Sequence, residues 1–217
     1  MRNGIHHFRQ SFACGLLLAA LSAPAAAASL SFSGNLAQDD SVATFAFVLG
    51  SPGSVTLQTF SYSGGTNAQG VVISAGGFDP VVSLFDSLGN LVLTQDDAVP
   101  ECNGVASDPV TSECFDILAV ASLPAGSYLV AITQFDNQPV GPDFASGFRQ
   151  SGANFTAIFE CDNGQFCDVD ADSRTSFWAA DVSGAAVVPA PAAGGLLSLA
   201  VGVLAAARWR RGGRARP

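Results

Sequence analysis

The chain of 217 residues and 22.1 kDa has room for one ordinary domain plus processing segments. Its formal charge of −9 hides an asymmetry: all 18 acidic residues lie between Asp39 and Asp181 against only Arg149 and Arg174, a net of −16 there, and lysine is absent. Phosphate backbones repel such a centre, which argues against nucleic-acid binding, and 48% hydrophobic residues with 16 Phe argue against a wholly disordered chain.

Residues 1–28 read as a secretory signal peptide. Arg2 and Arg9 make its basic start, residues 11–21 a short apolar stretch, and Ala26, Ala27 and Ala28 the small residues of its exit. The domain that follows, over 29–187, is a succession of β-prone runs separated by Gly, Pro, Ser, Asn and Asp clusters. Residues 41–49 alternate so that Phe45, Phe47 and Leu49 share a face, and 55–60 repeat the period with Val55, Leu57 and Thr59. A turn at 50–53 joins the two. Further runs follow at 81–85, at 91–94 across a hairpin-like turn, at 115–120, at 128–133, at 154–159 and at 177–182. Eight or nine strands without a helical period predict an all-β fold, a β-sandwich of jelly-roll character.

Past the domain, Val188, Pro189, Ala190 and Pro191 form a stiff junction, and 192–207 is an unbroken apolar run closed by Arg208, Trp209, Arg210 and Arg211. Residues 188–217 therefore read as a hydrophobic helix with a basic end. A helix of this length spans about 24 Å, short of the roughly 30 Å of a hydrocarbon core; snorkelling arginines and an interfacial Trp209 offset part of the difference. Because the arginines follow the apolar run, they stay cytoplasmic and residues 29–187 lie outside.

Four cysteines remain beyond the leader: Cys102, Cys114, Cys161 and Cys167. An even number in an exported domain reads as two disulfides, and of the three pairings 102–114 with 161–167 asks least of the fold. Their spacing is too wide for zinc knuckles, and no histidine follows His7. Calcium is the metal the composition favours, since it takes carboxylate and carbonyl oxygens on flexible turns. Asp168, Asp170 and Asp172 begin with EF-hand spacing, but Ser173 and Ala179 stand where that loop wants Gly and Glu. Asp79, Asp86, Asp96 and Asp97, with Asp39 and Asp40 nearby, form the preferred cluster because they span more of the fold. The competing reading of both clusters is a solvated acidic surface.

Catalysis has little to stand on. His6 and His7 fall in the leader, so no His-dependent triad survives export. Some pair among 18 carboxylates always meets glycosidase spacing, which makes that signal unspecific. The expectation is a protein without enzymatic activity. Tyr62, Phe78, Phe135, Phe144, Phe148 and Trp178 are candidate exposed aromatics for carbohydrate contact, although core packing is the commoner use of such residues.

The tail, with Pro189 and Pro191 before the apolar run and Arg208, Arg210 and Arg211 after it, resembles a PEP-CTERM sorting signal, with Ala190 in place of the acidic middle residue. Asp39–Asp40 before 42–47, Phe78-Asp79-Pro80 leading to 84–90 and Asp96-Asp97, and the turn 123–128 resemble bacterial pre-peptidase C-terminal-type β-sandwich modules. The span 31–183 resembles a group of such exported proteins paired with PEP-CTERM tails. The resemblance implies processing by signal peptidase, handling by an exosortase-like sorting transpeptidase, and transient anchoring in the inner membrane. It implies delivery to the cell envelope or extracellular matrix, in a structural or adhesive role. The alternative is a calcium-dependent carbohydrate-binding module in the exopolysaccharide layer.

Overall fold

Alternation sets which face of each strand meets the core. In β2 (Ala43–Leu49) the side chains of Phe45, Phe47 and Leu49 are buried and those between them are not; in β3 (Gly53–Thr59) Val55, Leu57 and Thr59 do the same. The computed structural model describes residues 27–190 apart from 99, 101, 163 and 186. It is an all-β sandwich. One sheet has the order β1-β10-β3-β8, where β1 is Ala27–Asn35, β8 is Leu118–Leu123 and β10 is Phe177–Ala185. The other has the order β11-β2-β9-β6-β7, where β6 is Pro80–Phe85, β7 is Leu91–Gln95, β9 is Gly126–Gln134 and β11 is Val187–Pro189. A two-residue pair, β4 (Gly65–Thr66) with β5 (Val72–Ile73), decorates one loop.

The core lies between the two large sheets. Phe45, Phe47, Val82, Leu84, Val130 and Ile132 face Val55, Leu57, Ala119, Trp178, Ala180 and Val182 in one cluster. Phe45 stacks between Phe32, 4.1 Å away, and Trp178, 6.0 Å away, while Phe47 stacks on Tyr128 at 5.3 Å. Burying a Phe of this kind stabilises by about 1.5–3 kcal/mol relative to leaving it in water.

All the strand pairings in both large sheets are antiparallel, so the two ends of the sandwich differ. One end carries the tight connections β2–β3, β6–β7 and β8–β9. At the other, β1, β3, β7 and β9 finish and β2, β6, β8 and β10 start, joined by the connections 36–42, 60–79, 96–117 and 135–176. All the acidic residues except Asp86 and Asp181 lie in these four connections.

Several strand expectations change, and β4, β5 and β11 add strands where none was expected, β11 within the junction at Val188 and Pro189. Residues 154–159 are not a strand: Phe155–Phe159 winds as a 3-10 turn, because the backbone N–H groups of Asn154 and Thr156 and the Thr156 hydroxyl all donate to the Asp39 carboxylate. β8 starts at Leu118, three positions later than the run 115–120 suggested, since Asp116 turns in to cap another loop. β1, where Leu30 and Phe32 pack on the core, occupies a stretch not read as a strand. Among the described residues no helix is long and apolar enough to cross a membrane. Pro189 ends β11, paired with Phe47; the leader through residue 26, Pro191, the apolar run and Arg208, Arg210 and Arg211 lie outside the described residues.

Candidate functional site

The loop end is organised by carboxylates that accept hydrogen bonds from loops distant in sequence. Asp116, at the foot of β8, takes the Thr59 hydroxyl at 2.7 Å and the backbone N–H groups of Ser61, Tyr62 and Ser63 at 2.7, 3.2 and 2.8 Å. Burial pushes this carboxyl above its ordinary range although the Ser63 N–H, the Thr59 hydroxyl and the other donors pull it down. Asp39 fastens the 36–42 connection to the 3-10 turn, as described above.

A second centre gathers around Arg174. Its Nε donates to Asp168 Oδ2 and its Nη1 to Asp108 Oδ2, both at 3.0 Å and both buried. Its guanidinium carbon sits 3.6 Å from the centroid of the Tyr62 ring, and the Tyr62 hydroxyl donates to Asp168 Oδ2 at 2.8 Å. Burial, above all, raises the Tyr62 hydroxyl's pKa. Asp168 Oδ1 accepts the N–H groups of Asp170 and Asp172, and Asp108 Oδ1 those of Val110 and Thr111. Two short loops are fixed in this way around one guanidinium. Disulfides close both: Cys102–Cys114 spans the Asp108 loop and Cys161–Cys167 ends beside Asp168, with Cα–Cα distances of 5.1 and 5.4 Å. The local pairing is thus the one present.

Of the expected calcium ligands, the fold brings together Asp79, Asp96 and Asp97. A carboxylate oxygen from each lies within 4.8 Å of the other two. Asp79 precedes β6 and Asp96 and Asp97 follow β7, and the register Val82 opposite Gln95 sets the start of one strand beside the end of the other. Asp79 is buried, and burial first, then the negative charges of Asp96, Asp97, Asp168 and Asp116, push its carboxyl well above the ordinary range. Burial and Asp97 push Asp96 up to about 6. Asp86 does not join them. It follows β6, a strand's length or about 20 Å from Asp79, and its oxygens accept from Leu88 N, Asn90 N and the Asn90 amide, which hold the β6–β7 turn. Asp168 is spent on Arg174 and Tyr62, with Asp170 exposed and Asp172 half-buried beside it. Among the described residues only the Asp79 group is tight enough for one ion.

Of the six aromatics expected on the surface, three are buried and three half-buried. Tyr62 and Phe78 are wholly buried and Trp178 nearly so. Phe135, Phe144 and Phe148 are half-buried. Phe144 packs edge-on against both Phe85 and Phe148, and Phe135 faces Phe159. Sequence reasoning missed Asp39, Asp108, Asp116 and Arg174 as organising residues. Their one signal was the scarcity of cations: an arginine left among 18 carboxylates is a natural hub for several of them.

Fold and site together define a disulfide-stapled all-β sandwich domain, made for oxidising, non-cytoplasmic surroundings. No family model matches the chain, and no curated protein is significantly similar to it.

Proposed function

We propose that the protein is an exported, non-enzymatic component of the cell envelope or extracellular matrix, with a structural or adhesive role. The observation that carries this reading is the use of the loop end's buried carboxylates. Asp39, Asp108, Asp116 and Asp168 each accept bonds from elsewhere in the loops, and two disulfides close the same region. Chemistry that would serve catalysis in a hydrolase is spent on rigidity. The sheet orders β1-β10-β3-β8 and β2-β9-β6-β7 are those of two interlocked Greek keys, which supports the jelly-roll reading. The likeness to pre-peptidase C-terminal-type modules and to a PEP-CTERM tail supplies the route: signal peptidase, the inner membrane, an exosortase-like enzyme, and a final place near exopolysaccharide. The carbohydrate-binding alternative keeps only the half-buried Phe135, Phe144 and Phe148 of its six aromatics at the surface.

Intact-mass analysis of the protein from its native host tests the route. The expected product lacks the leader and everything beyond about residue 190, and is found in the envelope or extracellular fraction. Persistence of Arg208, Arg210 and Arg211 in the mature protein would overturn processing by a transpeptidase, and a cytoplasmic, reduced protein would overturn export.

A further inference from the structure

We propose that Asp79, Asp96 and Asp97 form a binding site for a divalent cation of the calcium class at the loop end of the sandwich. The proposal goes beyond the export reading and does not depend on it. Three carboxylates offer oxygens within 4.8 Å of one another. Two oxygens on one Ca2+ lie at most about 5 Å apart, because each Ca–O bond is about 2.3–2.6 Å, so the three can share one such ion.

Proximity alone would describe any acidic surface. The second observation is the state of Asp79. Its side chain is only 3% exposed, yet Oδ1 has no hydrogen-bond partner, and among the described residues no cation pairs with it. Asp116 is satisfied by four donors, Asp39 by three, and Asp168 by an arginine, a tyrosine and two backbone N–H groups. Buried Asp181 also has an unpartnered Oδ1, but its Oδ2 accepts from Ala68 N at 2.6 Å. Asp79 has no such side-chain bond among the described residues, and it points into the space it shares with two more carboxylates. A buried charge without a partner costs several kcal/mol, so the group either holds a proton or meets a cation. The oxygen-only donor set selects a hard ion, and water would complete its shell.

The register explains why the site belongs to the fold and is not an accident of one loop. β6 and β7 form a hairpin whose tight turn, capped by Asp86, lies at the far end. The hairpin's open end then brings residue 79 against residues 96 and 97. A cation there would clasp the two strands at the point where their ladder stops.

The test uses the full-length oxidised chain, stripped with EGTA and titrated with CaCl2 by calorimetry, with thermal melting in parallel. The expected result is one Ca2+ per chain and a Tm higher by about 5–10 °C at a hundredfold excess over Kd, with a smaller response to MgCl2. Asp79→Asn is expected to melt above the wild type in EGTA, since it removes an unpaired buried charge, and to lose the calcium increment. Asp96→Asn, at a half-buried position, is expected to weaken binding at least tenfold without loss of folding. Asp86→Asn is expected to bind as the wild type does. No heat and no Tm change in wild-type protein would overturn the proposal, as a triad held together by protons alone predicts. It would equally be overturned if Asp96→Asn bound calcium normally or if Asp86→Asn abolished binding.

Discussion

The Tyr62 hydroxyl donates to Asp168 Oδ2 across 106 positions of chain, while Arg174, the other partner of that oxygen, holds its guanidinium carbon 3.6 Å from the centroid of the Tyr62 ring. One aromatic side chain thereby fixes both the carboxylate and the cation that neutralises it. Removing the hydroxyl alone with Tyr62→Phe leaves the ring over Arg174 and takes one donor from a buried oxygen. The expected loss is about 1–2 kcal/mol in urea unfolding, and Tyr62→Leu, which also forfeits the cation–π contact, is expected to lose more.

Arg174 is the costliest residue of this centre to change. Arg174→Met would leave Asp108 and Asp168 buried without their cation, for an expected cost of about 3–5 kcal/mol. Arg174→Lys is expected to recover only part of it. A single ammonium cannot reproduce the fork that reaches Asp168 through Nε and Asp108 through Nη1. Denaturant melts of the two variants check the order.

The disulfides are expected to contribute unequally. Cys102–Cys114 closes a loop of sequence separation 12 and Cys161–Cys167 one of 6. Loop-closure entropy gives roughly 2–3 kcal/mol each, with about 0.6 kcal/mol more for the doubled length. Paired Cys→Ser variants, melted separately, test both the size and the order.

Stability is expected to fall on both sides of a mildly acidic optimum. Asp116 has its carboxyl raised in the folded state, so its contribution is complete below the ordinary value of 3.8 and is lost as pH rises through the folded value. Asp108 behaves oppositely. Burial raises it, but the N–H groups of Thr111 and Val110 and Arg174 together bring it below its ordinary value, so its contribution is lost as pH falls through the folded value. Asp79 and Asp96, also raised chiefly by burial, add to the limb above the optimum. Melting in EGTA from pH 3 to 8 gives the profile, and Asp116→Asn is expected to shrink that limb in part while lowering stability throughout.

Gly77 threads between two backbones. A Cβ there would stand 2.4 Å from the Ser61 carbonyl oxygen and 2.5 Å from that of Phe177. Neither can retreat freely, because Gly77 N donates to Ser61 O and Gly77 bridges to Thr175. Gly77→Ala is expected to cost about 1–3 kcal/mol or more, read as a lowered urea midpoint with an unchanged slope.

What could be read from the sequence follows from periodicity. β2 and β3 announce themselves because one face of each is buried, and the β6–β7 hairpin, whose β6 is buried on both faces, does so through its apolar runs and its Gly-Asn turn. The stretch 154–159 misleads because its apolar residues look like a strand, while its N–H groups answer to Asp39, distant in sequence. The Asp79 triad was half legible: loop ends of a sandwich meet, and the hairpin-like turn between 85 and 91 already set Asp86 at the far end, where its oxygens cap the turn. The Arg174 centre needs three loops at once, and no local pattern encodes that.

The last strand has a mechanical consequence. β10 lies between β1 and β3, held along both edges, whereas β11 is a three-residue strand paired only with β2 at the border of the other sheet. A tether pulling on the chain beyond residue 190 loads β11 first. That three-residue ladder, anchored by Val187 in the core, takes the load before the double-zipped β10.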